Sequence, residues 1–272
     1  MFRLFFAHLR AIVRLSLAFV SLIILVISWT VPPLVRVFSR RQADRLLLHQ
    51  LGVWSRCSLA IIGVKVESSG PTPSAPYLLT CNHLSYLDVM VLWSQVDAFF
   101  LGKSELAKWP AMGPLIRAAG TVFIDRTMRS GVVAAIEKVT DKVNEGNGVI
   151  FFPEGTSSSG GEIRTYKSNM FQVAAHAQLP VHVAVIHYST NNKHYSAIND
   201  IAWWGDMTFV PHYYKMLMFD NKVARLKFSG QTIACGDRKQ MAQQAQHLAT
   251  EAFEPMHDFE DIEPGSDVSF LA

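Results

Sequence analysis

His83 and Asp88 stand five residues apart in Asn82-His83-Leu84-Ser85-Tyr86-Leu87-Asp88, and Glu154 follows directly on Phe151-Phe152-Pro153. On one regular helix His83 and Asp88 lie about 140° apart, on different faces. With His83 in a loop and a helix starting near Ser85, Asp88 instead falls in the first turn and faces back to the imidazole. A carboxylate on one ring nitrogen fixes the tautomer and leaves the other nitrogen free to take a proton, as a general base requires. The same residues also spell a capping box, Ser85-x-x-Asp88, with Ser85 as N-cap. Glu154, at the end of an apolar run, is oddly placed for a solvated charge. The Gly- and Ser-rich stretch from it to Lys167 can cradle an anion or serve as a plain strand-to-helix loop. A third segment, Gly120 to Arg126, ends in Asp-Arg. Arg126 can clamp a phosphate through its planar guanidinium, with Asp125 as its ion-pair partner or a helix cap.

These residues need a scaffold that brings loop ends together. After the loop at 67–76, Tyr77 to Cys81 is a short apolar run that predicts a buried strand. Helical periodicity follows at 86–96, strands at 121–124 and 148–152, helices at 132–144 and 168–177, a strand at 181–188 and a last helix at 241–252. Alternation of this kind predicts an α/β fold, a layered and mostly parallel sheet flanked by helices. Active sites in such folds gather where strands end and helices begin, which is where the candidate residues fall.

Charge divides the 272 residues unequally. Residues 1–65 hold nine basic side chains and one acid, residues 66–239 hold 16 basic and 14 acidic, and residues 240–272 hold seven acids with no Lys or Arg. The net +3 is therefore a +8 start, a +2 centre and a −7 end. From Leu15 to Val35 no residue is charged, and at 1.5 Å per residue that run reaches roughly 30 Å, the thickness of a hydrocarbon core. Trp29 sits near one end and Pro32-Pro33 supplies a helix stop. An N-terminal membrane-anchoring helical segment (1–66) is expected, because no small-x-small cleavage site follows the apolar run. Arginines flank it on both sides, so the charge rule leaves its orientation open. The weaker apolar stretch at 46–66 is expected as a helix on the membrane surface, its arginines meeting lipid phosphates. A central domain at 67–239, with the candidate motifs at about 77–190, and a C-terminal helix with a solvated acidic tail at 240–272 complete the expected organisation.

Composition excludes several classes. Half the residues are hydrophobic and 17% charged, which rules out disorder, and 16 Gly, 12 Pro and 3 Cys rule out collagen and a disulfide scaffold. Cysteines 57, 81 and 235 form no CxxC pair, so neither a zinc site nor a disulfide is expected, and a reducing cytosolic face fits. Cys81, two before His83, is a conceivable nucleophile but reads more simply as a buried strand residue. His182 and His187 point to opposite faces of a strand, against a metal cluster with His176. Gly155-Thr156-Ser157 lacks the last glycine of a nucleophile elbow, and no phosphate-loop or dinucleotide fingerprint occurs. The aromatics and cations of 190–239 suit a membrane surface or an edge strand rather than nucleic acid.

Taken together, His83 to Asp88 preceded by Asn82, Gly120 to Arg126, and Phe152-Pro153-Glu154-Gly155-Thr156 resemble the glycerolipid acyltransferase family, with its HxxxxD and FPEGT motifs. Lys103 and Gly113 also sit where that family commonly has a Lys and a Gly, and the likeness covers about residues 60–190. The resemblance implies His83 as general base oriented by Asp88, with Glu154, Gly155, Thr156 and Arg126 holding the acceptor and Lys103 and Lys167 as further contacts. It implies transfer of an acyl group from acyl-CoA or acyl-carrier protein, as substrates and without cofactor or metal, to a lysolipid hydroxyl. The expected acceptor is 1-acylglycerol-3-phosphate, giving phosphatidic acid; lyso-ornithine lipid or another lysophospholipid is the alternative, and a non-catalytic lipid-binding membrane protein a third. The expected setting is the inner membrane with the site on its cytoplasmic face, and membrane lipids, not nucleic acid, as partners. Two departures are visible. Ser157-Ser158 stands where many phosphatidic-acid-forming members continue with Arg-Ser, so one cation is missing unless Arg164 or Lys167 replaces it. Val183 replaces the second proline of the fourth block, after Pro180.

Overall fold

A computed structural model describes residues 2–125, 128–234 and 236–257, without the side chains of residues 129 and 177. The uncharged N-terminal run forms α1 (Phe2–Ser28), which stops before the Pro32-Pro33 pair; those prolines sit in the first turn of the short α2 (Val31–Arg36), where a missing N–H costs nothing. Among the described residues, Phe2–Arg36 is the one helical stretch long and apolar enough to cross a membrane, by length and composition. Phe5, Phe19, Ile24 and Ile27 of α1 are exposed. The inner stripe of α1 packs on α3 (Arg40–Ile62), whose N-cap Ser39 accepts from Gln42 N and whose C-cap Gly63 takes the left-handed conformation.

Strand β1 (Val64–Ser69) follows at once, then β2 (Tyr77–Cys81), α4 (Leu87–Gln95), β3 (Ala98–Lys103), α5 (Met112–Ala118), β4 (Val122–Ile124), α6 (Arg129–Asn144) and β5 (Gly148–Phe151). The remainder is α7 (Gln172–Ala177), β6 (Val181–Thr190), α8 (Ala197–Asp200), α9 (Phe209–Leu217), β7 (Lys222–Ile233) and α10 (Arg238–Ala252). The seven strands form one sheet in the order β1-β7-β6-β2-β5-β3-β4, parallel throughout except for the antiparallel β6–β7 pair. Alternate residues of the central strands feed two cores. Leu79, Ile150, Ala184 and Ile186 face α3, α4 and α9, whereas Leu78, Val149, Phe151 and Val183 face α6, α7 and α10. The expected layered α/β architecture is present.

Three expectations are corrected. The 46–66 stretch is not a surface helix free of the domain, because one face of it is packed inside. Leu48, Leu51, Leu59 and Ile62 of α3 are buried, its Gly52 closes to within 3.1 Å of the Trp93 carbonyl for any added Cβ, and Arg56 donates to the Ser94 carbonyl at 3.1 Å. Arg56 thus serves a protein carbonyl, and the buried Asp44 of α3 pairs with Arg36 of α2 and Lys142 of α6, each at 2.6 Å. The 190–239 segment supplies no edge strand either: β7 lies inside the sheet, β1 covers it, and Phe219 is fully buried. Finally, the C-terminal tail begins folded. The Glu254 carbonyl accepts from His187 Nδ1 at 2.9 Å, and buried Met256 donates to the Gly160 carbonyl at 2.8 Å. The rest of the acidic tail, 258–272, lies outside the described residues.

Candidate active site

Strands β2 to β6 run the same way, so the segments leaving their carboxyl ends emerge on one rim of the sheet. His83 follows β2, Lys103 closes β3, Asp125 follows β4, and Pro153-Glu154 follows β5. Where β2 ends, the Asn82 side chain continues the ladder: it accepts from Ile186 N at 2.7 Å and donates to the Ile186 carbonyl at 2.9 Å. An amide that mimics a strand residue lets the main chain leave the sheet at His83 with both β6 groups still paired.

Helix α4 starts at Leu87, so His83 is in the loop and Asp88 in the first turn. Asp88 Oδ2 lies 2.7 Å from His83 Nδ1 and accepts from Leu84 N at 2.7 Å and Ser85 N at 3.0 Å. Asp88 Oδ1 accepts from the Tyr188 hydroxyl at 2.7 Å. An ionised, acceptor-only carboxylate draws the imidazole proton to Nδ1 and turns Nε2 into the open base. Half of the capping box also forms, because Asp88 takes the Ser85 N–H. The Ser85 hydroxyl, however, donates to the Ile201 carbonyl at 2.8 Å instead of capping α4. One carboxylate serves helix start and histidine together. The His83 ring stacks on Phe152 at 4.1 Å and 13°, with Phe100 stacked behind at 5.7 Å, which sets the imidazole plane.

Phe152-Pro153-Glu154-Gly155 is a tight turn closed by Gly155 N to the Phe152 carbonyl at 3.0 Å; Pro153 presets its first corner and Gly155 takes a φ of 72°. The turn points Glu154 inward, where it is 2% exposed. Its Oε1 accepts from His83 N at 3.2 Å, whereas its buried Oε2 has no partner. Burial, with the Asp88 charge adding, pushes this carboxyl up to about 8, against the opposing pull of the His83 N–H and Arg164. The folded chain therefore holds a proton on Glu154 that the unfolded chain gives up from about pH 4.5, so this group makes stability fall as pH rises from about 4.5 to about 8. Glu154→Gln is expected to flatten that slope: melting temperatures of the two proteins converge at low pH and the variant is the more stable at pH 8. Equal slopes across pH 5 to 8 would show that Glu154 ionises normally.

The loop after the turn is pinned to both blocks, with Ser158 N donating to the His83 carbonyl and Lys167 N to the Pro153 carbonyl, each at 2.9 Å. His83, Asp88 and Glu154 thus come together. Gly155 is buried in the turn, Thr156 and Lys167 are exposed beside it, and Lys103 is half-buried where it pairs with Ile124. Arg126 lies outside the described residues. Ser157 and Ser158, at the place of the missing cation, are both buried, whereas Arg164 is exposed within electrostatic reach of Glu154. Cys81 is fully buried and its thiol is pushed well up by burial, with the Asp88 and Glu154 charges adding, so it is a poor nucleophile. His176, His182 and His187 do not converge, and among the described residues no three His, Cys, Asp or Glu side chains form a metal-holding group. Tyr188 is the participant that sequence reasoning missed. It carries no local signal, being one apolar-strand residue 100 positions from Asp88.

Residues 63–187 match the family model described as Acyltransferase. That span holds both blocks of the site, and over it the chain is similar to the acyltransferase family, as the motifs implied. Among its relatives, the lyso-ornithine lipid O-acyltransferase of Rhizobium meliloti is 31% identical over 170 residues, 58% of this chain and 58% of that protein. The 1-acyl-sn-glycerol-3-phosphate acyltransferase of Neisseria gonorrhoeae is 32% identical over 133 residues, 48% of this chain and 52% of that protein. A lyso-ornithine lipid O-acyltransferase of Pseudomonas aeruginosa is 29% identical over 195 residues, 71% of this chain and 74% of that protein. The chain spans little more than half the length of the first two relatives. The crystal structure of the 1-acyl-sn-glycerophosphate (LPA) acyltransferase from Thermotoga maritima has the same fold, with a TM-score of 0.59 at 21% identity over 89% of this chain and 97% of that one.

Proposed function

We propose that this protein is a membrane-associated O-acyltransferase that moves a fatty acyl group from a thioester, acyl-CoA or acyl-carrier protein, to the hydroxyl of a lysolipid. The observation that carries the reading is the 2.7 Å pair of His83 Nδ1 and Asp88 beside the buried, half-satisfied carboxyl of Glu154. His83 Nε2 takes the hydroxyl proton as the oxygen attacks the thioester carbonyl. The tetrahedral intermediate collapses with loss of the thiolate, and the imidazolium returns the proton to sulfur, so no covalent acyl-enzyme is needed. Asp88 holds the imidazolium that forms in between. Glu154 Oε2, without a protein partner, is placed to bond an acceptor hydroxyl, and Gly155, Thr156, Arg126, Lys103 and Lys167 complete the acceptor rim in this reading.

The acceptor assigned is 1-acylglycerol-3-phosphate. A second acceptor, lyso-ornithine lipid, is favoured by the buried, uncharged Ser157-Ser158 pair, which offers no cation to a phosphate, and by the names of two relatives. Purified protein assayed against a panel of lysolipids with both thioester donors separates these: phosphatidic acid formation supports the first, acylated ornithine lipid the second. No product from any pair would overturn acyl transfer and leave a lipid-binding protein. In this reading residues 1–66 anchor the 67–239 domain to the inner membrane with the site on the cytoplasmic face, and 240–272 closes the chain. The exposed apolar face of α1 supports the anchor. Detergent, not high salt, is expected to release the protein from membranes; release by 1 M salt alone (roughly a 3 Å Debye length) would sink the anchor.

A further inference from the structure

Asp88 has no exposed surface, and its two oxygens are served differently. Oδ2 takes the His83 ring and the main-chain N–H groups of Leu84 and Ser85, which belong to the same loop and move with it. Oδ1 takes a single donor, the Tyr188 hydroxyl at 2.7 Å, from strand β6. Two residues earlier on that strand, Ile186 clasps Asn82 through both its main-chain groups. Strand β6 therefore grips the residue before His83 by main chain and the residue that orients His83 by side chain. A buried tyrosine hydroxyl needs only one acceptor, and a carbonyl suffices: Tyr77 uses that of Asp97 at 3.1 Å. The Tyr188 hydroxyl instead bonds the one carboxylate that bonds the site histidine.

We propose that Tyr188 is a positioning residue of the His83–Asp88 pair, donating its hydroxyl proton to Asp88 Oδ1 so that the carboxylate keeps the orientation and basicity that set His83. The proposal rests on the acyl-transfer reading for its kinetic consequence, although its effect on the imidazole is independent of turnover. Burial first, and then the Asp88 charge, push the Tyr188 phenol well above its usual range, so it stays a neutral donor wherever the protein is folded. The other titratable groups within reach of this carboxylate are Cys81 from β2, Glu154 from the β5 turn and His83 itself, while Tyr86 at the start of α4 acts on Tyr188.

Tyr188→Phe removes one oxygen from a fully buried ring and leaves its packing. A carboxylate deprived of a donor holds the imidazolium proton more tightly, so the His83 pKa, followed by NMR, is expected to rise by about one unit. The acid limb of the kcat/KM profile should move up with it, kcat should fall about tenfold and KM stay within about twofold. Tyr77→Phe, which loses an equally buried hydroxyl away from the site, calibrates the stability loss and should leave both pH profiles in place. In an Asp88→Asn background, Tyr188→Phe should add less than about twofold, because the coupled group is already gone. Should Tyr188→Phe fold poorly, 3-fluorotyrosine throughout the chain makes Tyr188 a stronger donor and should move the His83 titration to lower pH. An unchanged His83 pKa in both substituted proteins overturns the positioning role. A wild-type protein that acylates no lysolipid overturns the acyl-transfer reading, with the imidazole titration still deciding on Tyr188.

Discussion

His83→Ala is expected to lower kcat by about 10³-fold, with the protein still folded and still membrane-bound. The size follows from the proposed role. Without Nε2 the acceptor hydroxyl must attack with its proton still on, and no other base stands ready, since Cys81 and Tyr188 are buried and held protonated and Glu154 is pushed up to about 8. The modest structural cost follows from the geometry. The ring is partly solvent-exposed, and its removal gives up the stack on Phe152 while Asp88 keeps the Leu84, Ser85 and Tyr188 donors. Glu154 bonds the main-chain N–H of residue 83, which alanine retains. Acyl transfer at each pH, a thermal melt and a membrane flotation assay measure the three parts. Activity within about tenfold of wild type would remove His83 as the base.

Asp88→Asn is expected to lose a comparable factor in kcat, about 10³, and to cost stability as well. The site surrounds Asp88 with donors only: an imidazole N–H, two main-chain N–H groups and a phenol. An amide presents one acceptor and one donor to that ring, so at least one buried N–H or O–H loses its partner, at about 1–3 kcal/mol. The charge that stabilises the imidazolium and selects the Nδ1–H tautomer is lost too. His83→Ala and Asp88→Asn thus match in activity and differ in melting temperature. Because the two groups act as one unit, the double variant should be about as slow as either single variant. Multiplied losses would mean that the residues act separately, against a shared role in one proton transfer.

Much of this site is legible along the chain because it is built from short-range devices. An offset of five from a loop histidine to a first-turn aspartate suffices to close the ring-to-carboxylate bond once a helix begins between them, and apolar periodicity places that start within two residues. Pro153 and Gly155 carry the turn that buries Glu154, and the apolar run before them marks the strand. The strands that escaped notice lack such local marks. β1 reads Val-Lys-Val-Glu-Ser-Ser and is a strand only because β7, about 160 residues on, pairs with it; β3 follows α4 after two residues, so its apolar run merges with the helical pattern. The Arg56 contact of α3 is likewise illegible along the chain, because an arginine looks alike whether it meets a phosphate or, as here, the carbonyl of buried Ser94.

The sequence by itself determined the α/β class, the two motif blocks and the long apolar N-terminal helix, each of which rests on residue type and periodicity within a few turns or strands. Tertiary structure alone decided that β6 closes the site from behind, with Ile186 on Asn82 and Tyr188 on Asp88. It also decided that Glu154 sits where burial, more than any neighbour, governs its proton. Both depend on segments dozens to a hundred residues apart meeting in one low-dielectric place, and no spacing within a single segment encodes that meeting.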